Sequence, residues 1–149
     1  MRAVVQRVSQ ASVNVDNSDV GQINNGLLVL LGISNEDTDK DVDYILRKIL
    51  GLRIFDDSEG IMNLSVKDIQ GEILLVSQFT LYGDVRKGNR PSYIRAANSE
   101  ISLPIYNSFI EKLKRENISF STGEFGAEMT VSLKNEGPVT ILLDSERNF

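Results

Sequence analysis

The sequence has no histidine, no cysteine and no tryptophan, and only three prolines in 149 residues. Each absence removes chemistry. Without cysteine there is no disulfide, no thiolate nucleophile and no sulfur-rich zinc site. Without histidine there is no imidazole to serve as a general base near neutral pH. What remains is backbone amides, hydroxyls, carboxamides, carboxylates, cationic side chains and groups on the substrate itself. A carboxylate-only magnesium site would need acids gathered at one place. The acidic clusters Asp37-Thr38-Asp39-Lys40-Asp41 and Asp56-Asp57-Ser58-Glu59 read instead as a helix start and a turn. No apolar run approaches the roughly eighteen residues that cross a bilayer. A second arginine in Met1-Arg2-Ala3-Val4-Val5-Gln6-Arg7 stands where a signal peptide needs its apolar region. The expectation is a cytoplasmic protein with no membrane partner.

Charge is also short on one side. Sixteen Lys and Arg face 21 Asp and Glu, a net charge of −5. That balance argues against binding along a nucleic-acid backbone, which needs many phosphate contacts, so no DNA partner is expected. One local exception stands out. Arg86, Lys87, Arg90 and Arg95 share a short segment with the single acid Asp84, an island able to hold a few phosphates.

The length suits one domain spanning residues 1–149, and no repeat or linker interrupts it. Ala3–Val8 and Ala11–Val15 read as two short strands, followed by Val20–Ile23 and a fully apolar Leu27–Ile33 suited to a central strand. Thr38 with Asp41 opens a helix whose stripe is Val42, Ile45, Leu46 and Ile49, stopped at Gly51. Leu52–Phe55 reads as a strand, and residues 61–69 as a loop with a short extended piece. Glu72–Gln78 reads as a buried strand that continues into Phe79–Gly83. Ser102 with Pro104 opens a second helix with stripe Ile105, Phe109 and Leu113, ending near Asn117. Met129–Lys134 and Val139–Asp144 alternate as the two arms of a hairpin. The fold class is α+β: a mostly antiparallel, barrel-like sheet with two main helices.

Four segments concentrate polar groups and turn residues. Along Ser77-Gln78-Phe79-Thr80-Leu81-Tyr82-Gly83, strand alternation puts Ser77, Phe79 and Leu81 on one face and Gln78, Thr80 and Tyr82 on the other. Lys87-Gly88-Asn89-Arg90-Pro91-Ser92 is a basic turn. Thr122-Gly123-Glu124-Phe125-Gly126-Ala127-Glu128-Met129 has two glycines that let backbone approach a ligand. Asn135-Glu136-Gly137-Pro138-Val139-Thr140 sets a proline at the mouth of a strand, where its missing N–H does no harm. Taken singly, each is compatible with an ordinary strand end or connection.

Together, in this order and spacing, and with the opening Arg2–Val8, they closely resemble the D-aminoacyl-tRNA deacylases of the bacterial and eukaryotic type. The resemblance covers essentially the whole chain. It implies that family's fold and a homodimer with active sites at the subunit interface. It implies a tRNA partner, whose aminoacylated terminal adenosine is met by Ser77, Gln78, Phe79 and Thr80, with Met129 at a further pocket position. It implies that Gly137 and Pro138, joined by a cis bond, reach into the pocket of the other subunit and select handedness. No cofactor and no metal are implied. Glu136 stands where many relatives carry Asp, which preserves the charge and the Gly-Pro.

The implied reaction is hydrolysis of the ester between a D-amino acid and the tRNA 3′ end, and by extension of glycyl-tRNA(Ala). Backbone N–H groups around Phe79 and Thr80 are the natural oxyanion donors. Thr80 as nucleophile would need a base, and only Asp84 lies near it in sequence. The substrate's ribose 2′-hydroxyl is preferred as the group that assists water. Lys87 and Arg90, with Arg86, are candidates for holding acceptor-end phosphates. The alternatives are a non-enzymatic nucleic-acid-binding module and an editing module for mis-acylated L-aminoacyl-tRNA.

Overall fold

The computed structural model describes Met1–Phe149. Its frame is β1, Arg2–Val15, a single strand where two short ones were expected. The break expected near Ser9-Gln10 is a pair of register shifts on the side facing the C-terminal strand, and the strand runs through it. A turn at Asp16-Asn17, both in the left-handed region, leads into β2, Ser18–Ile23, antiparallel to the second half of β1. β3, Gly26–Gly32, follows and pairs with the first half, so β2 and β3 lie end to end along one side of β1.

The helix α1, Asp39–Gly51, starts and stops at the expected residues. Asp41 Oδ2 accepts from the Thr38 N–H at 2.8 Å, closing the first turn. The expected strand Leu52–Phe55 is reduced to β4, Phe55–Asp56, in a small hairpin with β5, Met62–Leu64. β6, Glu72–Ser77, then pairs parallel to β3. Helix α2 runs Ser99–Lys114, one turn earlier than Pro104 suggests, because the Asn98 side chain accepts from the Ile101 N–H. Pro104 therefore lies inside the helix. A strand absent from the sequence reading, β7 at Ser119–Thr122, pairs parallel to β6. Its pattern Ser-Phe-Ser-Thr is too short and polar to announce itself.

The last element overturns the expected hairpin. β8, Thr130–Asp144, is one long strand antiparallel to β1 over nearly its whole length. The six-stranded sheet runs β2-β1-β3-β6-β7, with β8 also on β1, so it mixes antiparallel and parallel pairs. It curls until its ends meet: Ser121 Oγ donates to the Gln22 carbonyl at 3.2 Å, and a Cβ at Gly21 would stand 2.5 Å from the Thr122 carbonyl. The result is nearly barrel-shaped. Both helices cover one face, over Ala3, Val5, Leu27, Val29 and Leu31. A second cluster, with Val8, Val13, Leu28 and Val76, fills the other face. Burial on both sides explains why β3 is apolar at every position. No helix is long and apolar enough to cross a membrane.

Candidate active site

A cleft of about 350 Å³ opens where β3 and β6 end. Leu31, Ile33 and Val76 form its floor, while Phe79, Phe125 and Met129 form walls. Ser77 and Gln78 line it from the end of β6, and Ser99 and Ser102 from the first turn of α2. The lining is mostly apolar with a few polar groups, the usual make-up of a small-molecule site. Behind it, Tyr106 packs against Phe125 with ring centroids 5.2 Å apart, and burial pushes its phenol up to about 12. The structure thus brings together Ser77, Gln78, Phe79 and Met129. Ser99 and Ala97 carry no signal in the sequence, and Ser102 reads there only as a helix start, because the place of all three depends on where α2 begins.

The strand expected through Phe79–Gly83 is instead a 3-10 turn, Phe79–Tyr82. The two-face assignment of Ser77–Tyr82 therefore fails after Gln78. The cause is local: Gln78 donates its N–H to the Leu31 carbonyl at 2.8 Å as the last rung of the sheet. The chain then coils, with Leu81 N–H donating to the Gln78 carbonyl at 3.3 Å and Gly83 N–H to that of Thr80 at 2.9 Å. A helical turn leaves its first N–H groups without partners inside it. Here those are the amides of Phe79, which lines the cleft, and of Thr80, the next residue along the chain. The Thr80 side chain is exposed, does not line the cleft, and accepts a hydrogen bond from Gln78 Nε2.

Gly137 and Pro138 do not line this cleft either. They project from β8 as a bulge. Gln6 pairs with Thr140 and Val8 with Asn135, so β1 supplies only Arg7 opposite Glu136, Gly137, Pro138 and Val139. The Gly137–Pro138 peptide is cis and both residues are exposed. Asn135 pins the base of the bulge: its Oδ1 accepts from the Val139 N–H at 3.2 Å and its Nδ2 donates to Thr140 Oγ1 at 3.0 Å. Arg7 supports it from below, donating through Nε to the Glu136 carbonyl at 3.2 Å and through Nη1 to that of Ile54 at 2.8 Å. The sequence reading missed Arg7. The signal was present, since Arg7 shares a strand face with the buried Ala3 and Val5, where a lone arginine needs a reason.

The family model for D-Tyr-tRNA(Tyr) deacylase matches residues 4–144. The chain belongs to that family. It is 57% identical over 150 residues to the D-aminoacyl-tRNA deacylase of Thermosipho melanesiensis, covering all of both chains. It is 56% identical over 149 residues to that of Clostridioides difficile, again over all of both. Among solved structures, a c-Myc DNA unwinding element binding protein superposes with a TM-score of 0.91 at 49% identity, covering 97% of this chain and 98% of that one. A probable eukaryotic D-amino acid tRNA deacylase shares the fold, with a TM-score of 0.79 at 18% identity over 95% of this chain and 97% of that one.

The basic island of this family member is a closed loop. Asp84 and Ser92 exchange backbone hydrogen bonds, each 2.9 Å, and the rings of Phe79 and Tyr93 meet edge to face with centroids 5.1 Å apart. Lys87 and Arg90 are exposed on it and make no ion pair. Arg86 is committed to Asp84, with Nη2 to Oδ2 at 2.6 Å. The Arg86 side chain and backbone N–H hold the Asp84 carboxyl far below the usual carboxylate range. A carboxylate so stabilised is a poor proton acceptor. Asp84 is paired with Arg86 and makes no hydrogen bond to Thr80.

Proposed function

We propose that the protein hydrolyses the ester joining a D-amino acid to the 3′-terminal ribose of tRNA, in the cytoplasm, where charged tRNA is found. The carrying observation is the turn at Phe79–Tyr82, whose first amides stand unpaired by the turn itself beside an apolar cleft. The cleft is of a size to take the terminal adenosine, with Ser77 and Gln78 at its polar end. The Phe79 and Thr80 N–H groups then stabilise the oxygen that gains charge as water adds to the ester carbonyl. The bond from that carbon to the ribose 3′ oxygen breaks, and the proton from water passes to the leaving oxygen. With no imidazole or thiol in the chain and Asp84 held by Arg86, the ribose 2′-hydroxyl is the group left to assist the water. Thr80 positions the substrate. Lys87 and Arg90, free of ion pairs, suit phosphates of the acceptor end.

Chiral selection comes from Gly137 and Pro138 of a second copy. Two facts support this: the pair projects from the sheet as an exposed bulge, and it is absent from the cleft of its own chain. A main-chain wedge set against the substrate α-carbon rejects an L side chain and tolerates hydrogen. Selection by rejection needs no pocket for each D side chain, and glycine passes, which brings glycyl-tRNA(Ala) within reach. The deciding experiment compares purified protein on D-tyrosyl- and L-tyrosyl-tRNA. Release of D-tyrosine with L-tyrosyl-tRNA spared is the expected result. Equal rates on both would favour L-editing, and no release with tRNA or duplex DNA still bound would favour a binding module. In Gly137→Ala, the new Cβ would stand 2.8 Å from Val139 Cγ2 and 2.9 Å from Arg7 Nη2, at φ 120°. That variant is expected to lose D/L discrimination or turnover and to melt lower than wild type because of this strain, while still folding.

A further inference from the structure

The turn that carries Phe79 and Thr80 has few hydrogen bonds of its own, so something else must fix its aim. It rests on the end of β3 at Gly32, where a side chain would collide with it: a Cβ there would stand 3.0 Å from the Gln78 carbonyl oxygen and 3.1 Å from Leu81 Cβ. Arg2, beside Gly32 on β1, reaches across this seat. Its Nη1 donates to the Leu81 carbonyl at 3.1 Å, and its guanidinium lies 4.7 Å from the centre of the buried Tyr82 ring. Its Nε stands 3.5 Å from Oδ2 of the buried Asp144, at the end of β8. Asp144 is itself oriented, accepting from the Glu146 N–H at 2.9 Å and from Asn148 Nδ2 at 3.0 Å.

We infer that Arg2 is a positioning residue for the deacylation site, strapping the Phe79–Tyr82 turn to the sheet and so setting the direction of the Phe79 and Thr80 amides. The inference rests on the deacylase reading above. Arg2 does not line the cleft and needs no contact with substrate. Its role follows from connection: one planar cation meets a carbonyl of the turn, an aromatic ring of the turn and a buried carboxylate of the sheet. Lysine offers a point charge and cannot serve the three together. Oxyanion donors act only within a few tenths of an ångström of their proper distance, and a displacement of about 1 Å costs about 100-fold in rate.

The test uses the full-length protein as Arg2→Met and Arg2→Lys, with Lys67→Met as a control that breaks an exposed ion pair to Glu116 outside the cleft. Single-turnover hydrolysis of D-tyrosyl-tRNA, its KM, melting temperature and amide hydrogen exchange across residues 78–83 are read together. The expected result is a rate about 10- to 100-fold lower in Arg2→Met with KM changed less than about threefold, and faster exchange at the hydrogen-bonded amides of Leu81 and Gly83. Arg2→Lys falls between, and Lys67→Met matches wild type. A folded Arg2→Met within about threefold of the wild-type rate overturns the inference, whatever its melting temperature, because Arg2 then serves stability alone. If Arg2→Met does not fold, Arg2→Lys decides by the same criteria. If wild type itself spares D-tyrosyl-tRNA, the deacylase reading fails, and exchange alone decides the strap: unchanged protection in the variants overturns it.

Discussion

Thr80 shows how little a hydroxyl does without a partner. Its oxygen takes a hydrogen bond from Gln78, and the nearest carboxylate in sequence, Asp84, is engaged by Arg86. On the function proposed above, a threonine so placed gains no nucleophilic character and contributes one hydrogen bond. Thr80→Ala is expected to lower kcat/KM by about 2- to 10-fold, the worth of a single neutral hydrogen bond, without abolishing turnover. A loss of about 10⁴-fold with unchanged substrate binding would restore a nucleophile. Residues of this kind were legible in the sequence as a set, since Ser77, Gln78, Phe79 and Met129 do meet at one cleft. Their geometry was not. A run of alternating polar and apolar side chains gives the same pattern whether the chain stays extended or coils after Gln78. The choice was made by the Leu31 carbonyl, which ends the ladder at that residue.

Elements with their own local signals were the most legible. Helix α1 carries a cap, a stripe and a stop within its own residues, and it forms where they say. Asp41 belongs to that cap. Burial pushes its carboxyl up, but hydrogen bonds from Ser145 and Thr38 and the nearby N-terminal charge bring it below its ordinary value of 3.8. A group lowered in the folded state stabilises above its unfolded value and loses that effect as pH falls through the folded one. Asp41→Ala is therefore expected to cost about 1 kcal/mol near neutral pH, and the gap to wild type should close as urea titrations move below pH 3.8. A gap that persists in acid would assign the loss to packing. Helix α2 was less legible, because Pro104 suits a first turn yet Asn98 supplies the stronger cap. β8 was read as a hairpin for a similar reason. Asn-Glu-Gly-Pro reverses a chain in most settings, but here β1 pairs with β8 on both sides of it and turns it into a bulge.

At the scale of the molecule, the cleft and the Gly137–Pro138 bulge belong to the same chain and do not meet in it. A function needing both requires two copies, in which each bulge serves the other's cleft. Ala127→Trp fills the cleft of one subunit, and Gly137→Ala spoils the bulge of another. Each alone should lack D-selective turnover, whereas random mixing should restore about a quarter of it, since half the dimers then hold one native site. No recovery on mixing would place both parts in a single chain. The residues themselves determined the lack of imidazole and thiol chemistry, the helix α1 and the central strand, because composition, capping and periodicity act over a few neighbours. Tertiary structure alone decided the coil at Phe79 and the unbroken β8. These depend on which distant backbone groups arrive to take each hydrogen bond, and no short stretch of sequence carries that information.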